Sequence, residues 1–313
     1  MNKREAVLSL LDETRTPETI PAAFFLHFDP AFHRGQAAID KHLEYFRHTG
    51  MDFVKIQYEN KFPHLAEIRN PEDWAKMPSY ALDFYKEQLF VVEGLVKAAK
   101  RDALVIQTLY SPFMCAGHST SLEMVTDHIK ENPEKVKPGM EAITDSLMRF
   151  VKECIRLGVD GFYTSTQGGE YGVFEDITLF NECVRPYDLR LMEEINSLCP
   201  FNILHICDYH KKYADLARFR DYPGQIVNCS LELVFGTISA REVSKIFNRP
   251  FMGGMDRLGV LATGSKDDVS KAAKTALENA PERFILGADC TVPNDTPWEN
   301  LRTAISTAHS ASL

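Results

Sequence analysis

Three residues in the C-terminal half of the chain have side chains that could together hold a metal ion. His205 and Cys207 stand at i and i+2 in the segment Leu204-His205-Ile206-Cys207, and Cys290 follows much later. Side chains two positions apart on an extended strand point to the same side. Two thiolates and one imidazole suit Zn²⁺, and three protein ligands leave a fourth position open for chemistry. The pattern alone is not specific, because small buried cysteines and interior histidines are also ordinary core residues.

Short β-prone runs alternate with longer amphipathic stretches, which is typical of βα units on a parallel sheet. The predicted strands are Ala22–Phe28, Phe53–Tyr58, Ala103–Leu109, Gly161–Thr164, Asn202–Ile206, Ile226–Cys229, Phe251–Gly253 and Phe284–Gly287. The predicted helical stretches are Ile39–His48, Phe84–Lys100, Met140–Leu157, Leu179–Leu198, Ala240–Asn248, Asp267–Asn279 and Trp298–His309, with a shorter one at Tyr213–Phe219.

Eight predicted strands alternating with helices predict an α/β protein, a single-domain (β/α)8 TIM barrel over residues 1–313. An open doubly wound sheet is the structural alternative. Neither G-x-G-x-x-G nor G-x-x-x-x-G-K-[ST] follows the first predicted strand, so the nucleotide-binding signature that would support an open sheet is missing. The barrel is therefore the favoured architecture.

A barrel would bring the metal candidates together. Catalytic groups of such barrels stand at the carboxyl ends of the strands and on the loops that follow them. His205 and Cys207 mark the end of the fifth predicted strand, and Cys290 follows the eighth. Glu170, in the loop after the fourth strand, is a candidate for the fourth metal ligand, which would yield its position when a substrate arrives.

Further polar residues at the ends of the predicted strands are candidates for catalysis. His27 lies at the end of the first strand, Glu59 follows the second, and Tyr110 follows the third. His27 and Glu59 could each be a general acid–base group, a substrate contact or a solvated loop residue. With Glu170, these three residues form the predicted catalytic set.

Cofactor contacts are expected where small residues allow a ligand to approach the backbone. Tyr171 lies in the glycine-rich loop Gln167–Gly172, and Gly254 and Asp256 follow the seventh predicted strand. These three residues are candidates for cofactor binding. A simple turn in each loop is the alternative.

The composition limits the classes of partner. The chain of 313 residues carries a net charge of −9 and has no run rich in lysine or arginine, which argues against nucleic acid or an anionic membrane as the main partner. The N-terminus lacks the apolar core of a signal peptide, and no apolar run approaches the roughly 18 residues of a membrane span. A cytoplasmic location is the default expectation. The seven scattered cysteines then indicate free thiols or metal ligands.

The segment from Gly287 to Ile305 resembles the uroporphyrinogen decarboxylase superfamily. It reads GADCTVPNDTPWENLRTAI, and its helix start is similar to the family pattern Pro-x-x-Thr-Pro-x-Glu-Asn. The residues that match this helix start are Pro293, Thr296, Pro297, Glu299 and Asn300. Supporting segments are Ser111-Pro112-Phe113, Gly158-Val159-Asp160-Gly161 and GGMDRLGVLATGS after the seventh strand. They occur in the family order over roughly the last two-thirds of the chain.

The resemblance implies one of two chemistries. One branch of the superfamily decarboxylates the acetate side chains of uroporphyrinogen without a metal or cofactor. The other is a zinc-dependent methyltransferase branch that moves a methyl group between a corrinoid and a thiol such as coenzyme M. That branch carries His-x-Cys after strand five and a cysteine after strand eight, which His205, Cys207 and Cys290 match.

The implied activity is therefore methyl transfer between a protein-bound methylcobamide and a small thiol. Zn²⁺ would bind the thiol at its open position and lower the pKa of the thiol, while Glu170 is displaced. A separate corrinoid protein is the implied partner, and a homodimer is the assembly to expect by resemblance. Asp208 stands where many relatives place glycine, which leaves the identity of the thiol and of the methyl donor open.

The sequence departs from the decarboxylase branch at the substrate side. The first loop, FFLHFDPAFHRG, contains only Arg34 where that branch pairs arginines, and the second strand ends in Gln57-Tyr58-Glu59 without the aspartate that binds the pyrrole N–H groups. These departures disfavour a substrate with many carboxylates. A uroporphyrinogen decarboxylase-type carboxy-lyase remains the alternative, and a non-catalytic binder of corrinoid or thiol is the second alternative.

Overall fold

The structure is a computed structural model that describes residues 2–12, 14 and 19–311. In these ranges there are nine strands: β1 Phe53–Ile56, β2 Leu104–Tyr110, β3 Gly161–Thr166, β4 Ile203–Ile206, β5 Ile226–Cys229, β6 Glu232–Leu233, β7 Gly236–Thr237, β8 Phe251–Met255 and β9 Phe284–Ala288. The same ranges contain twelve α-helices: α1 Lys3–Ser9, α2 Gly35–Thr49, α3 Lys86–Ala99, α4 Pro112–Ser119, α5 Leu122–Glu131, α6 Pro133–Leu157, α7 Ile177–Cys183, α8 Arg185–Leu198, α9 Ala240–Phe247, α10 Val260–Thr263, α11 Lys266–Glu278 and α12 Trp298–His309. Short 3-10 turns cover Pro30–Phe32, Pro71–Lys76, Leu82–Tyr85 and Ala217–Phe219.

Seven of these strands form one parallel sheet in the order β1-β2-β3-β4-β5-β8-β9, while β6 and β7 pair antiparallel as a short hairpin. Each crossover between successive strands of the sheet contains one or more α-helices, except that between β4 and β5, in which the described residues form only the 3-10 turn Ala217–Phe219. A parallel pair needs such a crossover to return the chain to the same edge. Apart from Tyr110 and Gly254, every residue of the seven strands is buried. Burial on both faces is typical of parallel sheets covered by helices.

The segment between residues 21 and 28 lies against both edges of the sheet, which is therefore curled. The Ala23 N–H donates to the Leu286 carbonyl in β9 at 3.0 Å. On the other side, the Asp52 N–H, directly before β1, donates to the Ala22 carbonyl at 3.0 Å. Ala22 and Leu286 form an isolated parallel bridge. The prediction of a regular strand over Ala22–Phe28 is wrong, because beyond this bridge the segment is not assigned as a strand.

Side chains explain why this segment does not form a regular ladder. Further along it, the Tyr45 hydroxyl donates to the Phe24 carbonyl at 2.9 Å, and the side-chain amide of Gln57 donates to the Leu26 carbonyl. Buried backbone groups need hydrogen-bond partners, but these partners can be side chains as well as a neighbouring strand. The alternation of apolar and polar residues along a predicted strand does not reveal such side-chain partners.

The other seven predicted strands are confirmed, with small shifts of their bounds. The predicted helix Leu179–Leu198 is two helices, α7 and α8, and Pro186 lies in the first turn of α8. Proline has no N–H to continue a helix but fits the first turn of a new one. The predicted short helix at Tyr213–Phe219 is a 3-10 turn over Ala217–Phe219 alone.

None of the helices in the described part of the chain is long and apolar enough to cross a membrane. The longest is α6, with 25 residues. It ends at Gly158, whose φ of +100° lies in the left-handed region that favours glycine. The N–H of Gly158 donates to the Cys154 carbonyl at 3.1 Å, which closes the last turn before the chain enters β3.

Candidate active site and metal centre

A cavity of about 780 Å³ opens at the carboxyl ends of the strands. Its wall residues recur at every second position of four strands and their ends: Lys55 and Gln57, Thr108 and Tyr110, Tyr163, Ser165 and Gln167, and His205 and Cys207. This spacing follows from the alternation of side chains along a strand. Residues of the loops and of α4 complete the lining, including His27, His33, Glu59, Lys61, Met114, His118, Tyr209, His210, Arg257, Leu258 and Cys290.

The floor of this cavity, defined as His205, Cys207 and Cys290, brings together the three residues predicted to bind metal. Their ligand atoms lie within 4.8 Å of one another, and Sγ of Cys290 is 3.4 Å from Nε2 of His205. A tetrahedral zinc ion with bonds of roughly 2.1 Å to nitrogen and 2.3 Å to sulfur separates its ligand atoms by roughly 3.6 Å. The donor set and its spacing therefore fit Zn²⁺.

Two kinds of backbone contact hold the thiols of the floor. The Cys207 N–H donates to the Thr166 carbonyl at 3.1 Å, which continues the pairing of β4 with β3 by one residue. The carboxylate of Asp289 accepts the N–H of Cys290 at 3.0 Å and the N–H of Arg257 at 2.8 Å. Asp289 thus ties the loop after β9 to the loop after β8.

The two thiols of the floor influence each other's protonation. The neighbouring Cys290 thiol and the His205 imidazole hold the pKa of Cys207 well below its usual range. The neighbouring Cys207 sulfur, together with burial, raises the pKa of Cys290 well above its usual range. The first thiolate forms easily, and the second is opposed by the charge of the first. Because both sulfurs must lose their protons to bind zinc, a divalent cation would relieve this opposition.

The imidazole of His205 is held by stacking. Its ring lies 4.8 Å from the ring of Tyr163 at an interplanar angle of 27°, and the Tyr163 hydroxyl donates to Asn228 at 2.6 Å. Nδ1 of His205 is buried and has no hydrogen-bond partner among the described residues. Binding a metal through Nε2 would leave the proton on Nδ1, so an ion would use the nitrogen that already points at Cys290.

Glu170 is buried in the loop after β3, but its carboxylate is not one of the clustered ligand atoms. Oε2 of Glu170 accepts the N–H of Gly168 at 2.6 Å. Burial raises the pKa of Glu170 to about 7. The structure therefore places Glu170 in the expected loop, with its carboxylate turned onto its own backbone.

The rim of the cavity, defined as His27, His33 and Glu59, brings together two of the predicted catalytic residues. Nδ1 of His27 is 2.8 Å from Oε1 of Glu59, and Nδ1 of His33 is 3.5 Å from Oε2. Tyr110 stands in the wall, with its ring 5.3 Å from that of His118. Burial raises the pKa of Tyr110.

Lys55 is a functional candidate that the sequence analysis missed. Its ammonium is buried in the wall of the cavity and donates to Gln57 Oε1 at 3.0 Å and to Thr108 Oγ1 at 3.1 Å. It also lies 4.7 Å from the ring centre of Phe25 and 4.6 Å from that of Tyr163. Burial lowers the pKa of Lys55 to about 7. A lysine within an apolar strand, in phase with Gln57, was the available signal.

The residues predicted to bind a cofactor lie outside the cavity. Gly254 and Asp256 line an adjoining cleft of about 530 Å³ together with Asp208. Tyr171 is exposed, and its ring packs at 5.3 Å against that of Phe235, between β6 and β7. The structure does not bring these three residues together with the floor.

All seven cysteines are buried and free of disulfide bonds. Five of them lie away from the floor, at Cys115, Cys154, Cys183, Cys199 and Cys229. They belong to the hydrophobic core, where a free cysteine packs as a small apolar side chain.

Residues 47–311 match the family model described as uroporphyrinogen decarboxylase (URO-D). The chain therefore belongs to the URO-D family. It is 26% identical over 204 residues to the methylated-thiol–coenzyme M methyltransferase of Methanosarcina mazei, a match that covers 64% of this chain and 52% of that protein. The chain thus spans about half the length of that relative. It is 19% identical over 243 residues to the methylcobamide:CoM methyltransferase MtbA of Methanosarcina acetivorans, covering 77% of this chain and 69% of MtbA.

Solved structures show the same fold. A methyltransferase from Methanosarcina mazei superimposes with a TM-score of 0.81 at 14% identity, covering 98% of each chain. A B12-independent methionine synthase from Shewanella sp. W3-18-1 superimposes with a TM-score of 0.58 at 12% identity, covering 93% of this chain and 97% of that one. At such identities the likeness concerns the fold alone. The predicted resemblance to the family and to its methyltransferase branch is confirmed by the family match and the named relatives.

Proposed function

We propose that this chain is a zinc-dependent methyltransferase that moves a methyl group between a corrinoid and a small thiol. The observation that carries the proposal is the cluster of His205, Cys207 and Cys290 on the buried floor of an open cavity. Membership of the URO-D family and the names of the methyltransferase relatives support it. The methyl donor would be a methylcobamide, carried by a separate corrinoid protein.

The residues of the cavity would divide the chemistry among them. A bound Zn²⁺ would supply the Lewis acidity that lowers the pKa of a thiol, and the floor residues would hold the ion. Glu170 is the proposed fourth ligand before the thiol arrives, for which its carboxylate has to leave the Gly168 amide. The hydroxyl of Tyr110, in the wall, is a proposed hydrogen-bond donor to the bound substrate.

The residues at the cavity mouth would meet the methyl donor. Gly254 and Asp256 line a cleft that shares His210, Arg257 and Leu258 with the main cavity. A corrinoid is too large to enter a cavity of about 780 Å³ together with the thiol and has to approach from the mouth. Gly254, Asp256 and the exposed Tyr171 therefore remain the proposed corrinoid contacts.

We further propose that the segment over Ala22–Phe28 takes the place of an eighth strand. Its hydrogen bonds to both sheet edges would close a (β/α)8 barrel, with residues 1–313 acting as a single domain. A homodimer remains the proposed assembly. Gel filtration with light scattering would test the assembly, and a monomeric mass would contradict it.

The decisive experiment measures metal and methyl transfer on the same preparation. We expect about one zinc per chain in the purified protein, and loss of the methylcobalamin absorbance when a thiol such as coenzyme M or 2-mercaptoethanol is added. Cys207→Ser should lower the rate more than about 100-fold, since an ion contributes several kcal/mol to such steps. Cys199→Ser, a buried cysteine beyond the C-terminal end of α8, is the matched control and should keep the activity.

The other outcomes identify the alternatives. A zinc-free protein whose activity survives Cys207→Ser would overturn the proposal. Release of CO₂ from uroporphyrinogen at an ordinary enzymatic rate would identify a carboxy-lyase, for which Lys55, Lys61 and Arg257 are the cations that line the cavity. Bound zinc without methyl transfer to any thiol would identify a binder of corrinoid or thiol.

A further inference from the structure

The rim places one carboxylate between two imidazoles. Oε1 of Glu59 lies 2.8 Å from Nδ1 of His27, and Oε2 of Glu59 lies 3.5 Å from Nδ1 of His33. The backbone N–H of Glu59 donates to Oε1 of Gln88 at 3.2 Å, which anchors the residue after β1. Glu59 is largely buried, with 11% of its side chain exposed, whereas 36% of the His27 side chain is exposed. The carboxylate is thus shielded, and the imidazole of His27 can exchange protons with water.

The contacts of His33 determine where protons lie on this rim. Nε2 of His33 is 2.8 Å from the carbonyl oxygen of Phe28, which can only accept, so this nitrogen carries a proton. A neutral His33 would then turn a lone pair of Nδ1 toward the Glu59 carboxylate. Nδ1 of His33 can donate to Oε2 of Glu59 only when both ring nitrogens carry a proton.

His27 is then left with one free nitrogen. An ionised Glu59 accepts the Nδ1–H of His27, so the lone pair of a neutral His27 lies on Nε2. Nε2 has no hydrogen-bond partner among the residues that the structure describes. A carboxylate that orients an imidazole with a free second nitrogen is the arrangement of a general base.

We propose that His27 is the catalytic base that takes the proton of the thiol substrate, with Glu59 and His33 as its positioning residues. This inference rests on the proposed function. In the step, the S–H bond breaks and its electron pair stays on sulfur, while a new N–H bond forms at Nε2 of His27. The imidazolium is stabilised by the Glu59 carboxylate, keeps the proton while the thiolate is bound, and passes it to water at its exposed edge only after the methyl group has been transferred. The thiolate is left as the nucleophile for the methyl group.

The neighbouring charges fit this role. The titratable groups that face the rim from the surrounding elements are Lys55 from β1, Lys61 from the following loop, His42 from α2 and Tyr110 from β2. Lys61, and Lys55 to the extent that it is protonated at a pKa of about 7, oppose a further positive charge on His27. Burial keeps His42 and Tyr110 neutral at pH 7 by lowering the pKa of His42 to about 4 and raising that of Tyr110. Glu59 is the carboxylate among the residues lining this cavity, so it provides the compensating charge.

The test counts protons when a thiol binds. Zinc-loaded protein is titrated with coenzyme M by calorimetry at pH 7 in phosphate and in Tris buffer, without a methyl donor, and the difference in heat gives the protons released. We expect clearly less than one proton released by the wild type, because His27 keeps it, and close to one by His27→Gln. With methylcobalamin present, His27→Gln should react about 100-fold more slowly at pH 7 and recover as the pH rises toward the thiol's own pKa.

Two further variants separate a base from a structural residue. Glu59→Gln keeps the shape of the side chain but removes the charge, and it should shift proton release in the same direction as His27→Gln. His48→Gln changes an exposed histidine of α2 that pairs with Glu299 at 2.9 Å, and it should behave as the wild type. Equal proton release and equal pH profiles for His27→Gln and the wild type would overturn the inference. Failure of the wild type to bind coenzyme M at all would count against the proposed function, which is a different outcome.

Discussion

The floor and the rim of the cavity hold their titratable groups in opposite ways. His205, Cys207 and Cys290 of the floor are 1%, 4% and 6% exposed. His205 lies on β4, Cys207 directly follows β4, and Cys290 stands two residues after β9. The side chains of His27 and His33 on the rim are 36% and 24% exposed, on loops. Burial makes a second thiolate on the floor unfavourable without a cation, whereas exposure lets the rim exchange protons with water.

This difference suggests a division of labour. A ligand set for an ion has to keep its geometry, and strand pairing holds the Cys207 backbone to Thr166 of β3. A base has to gain and lose a proton in each turnover, which requires contact with solvent on one side and a charge partner on the other. The floor would therefore bind the metal ion, and the rim would transfer protons.

The largest expected effect is on zinc affinity, which should depend on the floor and not on the rim. Cys290→Ala should weaken zinc binding more than 100-fold, beyond the 10–100-fold typical of losing an outer partner of a metal ligand, while His27→Gln should leave it unchanged. Competition with a chromophoric chelator measures both affinities. Cys199→Ala, at a buried cysteine outside the cavity, is the control for the loss of a thiol. Equal weakening by Cys290→Ala and His27→Gln would abolish the distinction between floor and rim.

A smaller effect concerns Lys55, which lies in the wall of the same cavity. Its pKa falls from 10.5 to about 7 in the fold through burial, so between pH 7 and 10.5 the unfolded chain binds more protons. Burial of the charged Lys55 therefore lowers the free energy of unfolding by its full amount below pH 7, and this loss disappears as the pH rises toward 10.5. Lys55→Met should stabilise the metal-free protein by about 2 kcal/mol at pH 6, because the hydrogen bonds lost at Gln57 and Thr108 offset part of the gain.

Urea unfolding at pH 6 and pH 10 measures this effect. The gain should be present at the lower pH and mostly lost at the higher one. Lys97→Met, at an exposed lysine of α3 that pairs with Glu93, is the control and should show no such pH dependence. A stability gain of equal size at pH 6 and pH 10 would show that the pKa of Lys55 is not lowered. The cavity wall around Lys55 would then be as accessible to solvent as the rim.

The smallest expected effect lies at the mouth, outside both regions. Tyr171→Ala should raise the KM for methylcobalamin about threefold and leave kcat unchanged, because one aromatic contact is worth about 0.5–1.5 kcal/mol. Steady-state kinetics with a fixed thiol concentration measures the change. Phe90→Ala, an exposed aromatic of α3, serves as the control. An unchanged KM would remove Tyr171 from the proposed corrinoid contacts.

Much of the fold was predictable because its signals are local. Seven predicted strands are confirmed, since each is a short β-prone run between helical stretches. The strand over Ala22–Phe28 failed because its backbone partners include the Tyr45 and Gln57 side chains, which come from other elements. The division of the predicted helix Leu179–Leu198 into α7 and α8 could have been predicted, since Pro186 stands inside it.

The candidate site was predictable in part. His205 and Cys207 are two residues apart, so strand geometry alone places them on one side, and Cys290 follows from the position of the last strand. Lys55 was missed because its place in an apolar strand is only a weak signal of burial, which the surrounding rings of Phe25 and Tyr163 establish in the fold. The pairing of His27 with Glu59 joins two loops, and no sequence pattern measures that distance.

The alternation of strands and helices, the family resemblance and the types of ligand at the floor follow from the amino-acid sequence alone. They depend on side-chain chemistry and on spacing along one strand. The three-dimensional structure was needed to show that the Glu170 carboxylate turns to the Gly168 amide, that Glu59 lies between two histidines, and that Lys55 is buried in the cavity wall. Orientation, pairing and burial arise from contacts between distant segments, and burial sets the pKa that decides which group can carry a proton.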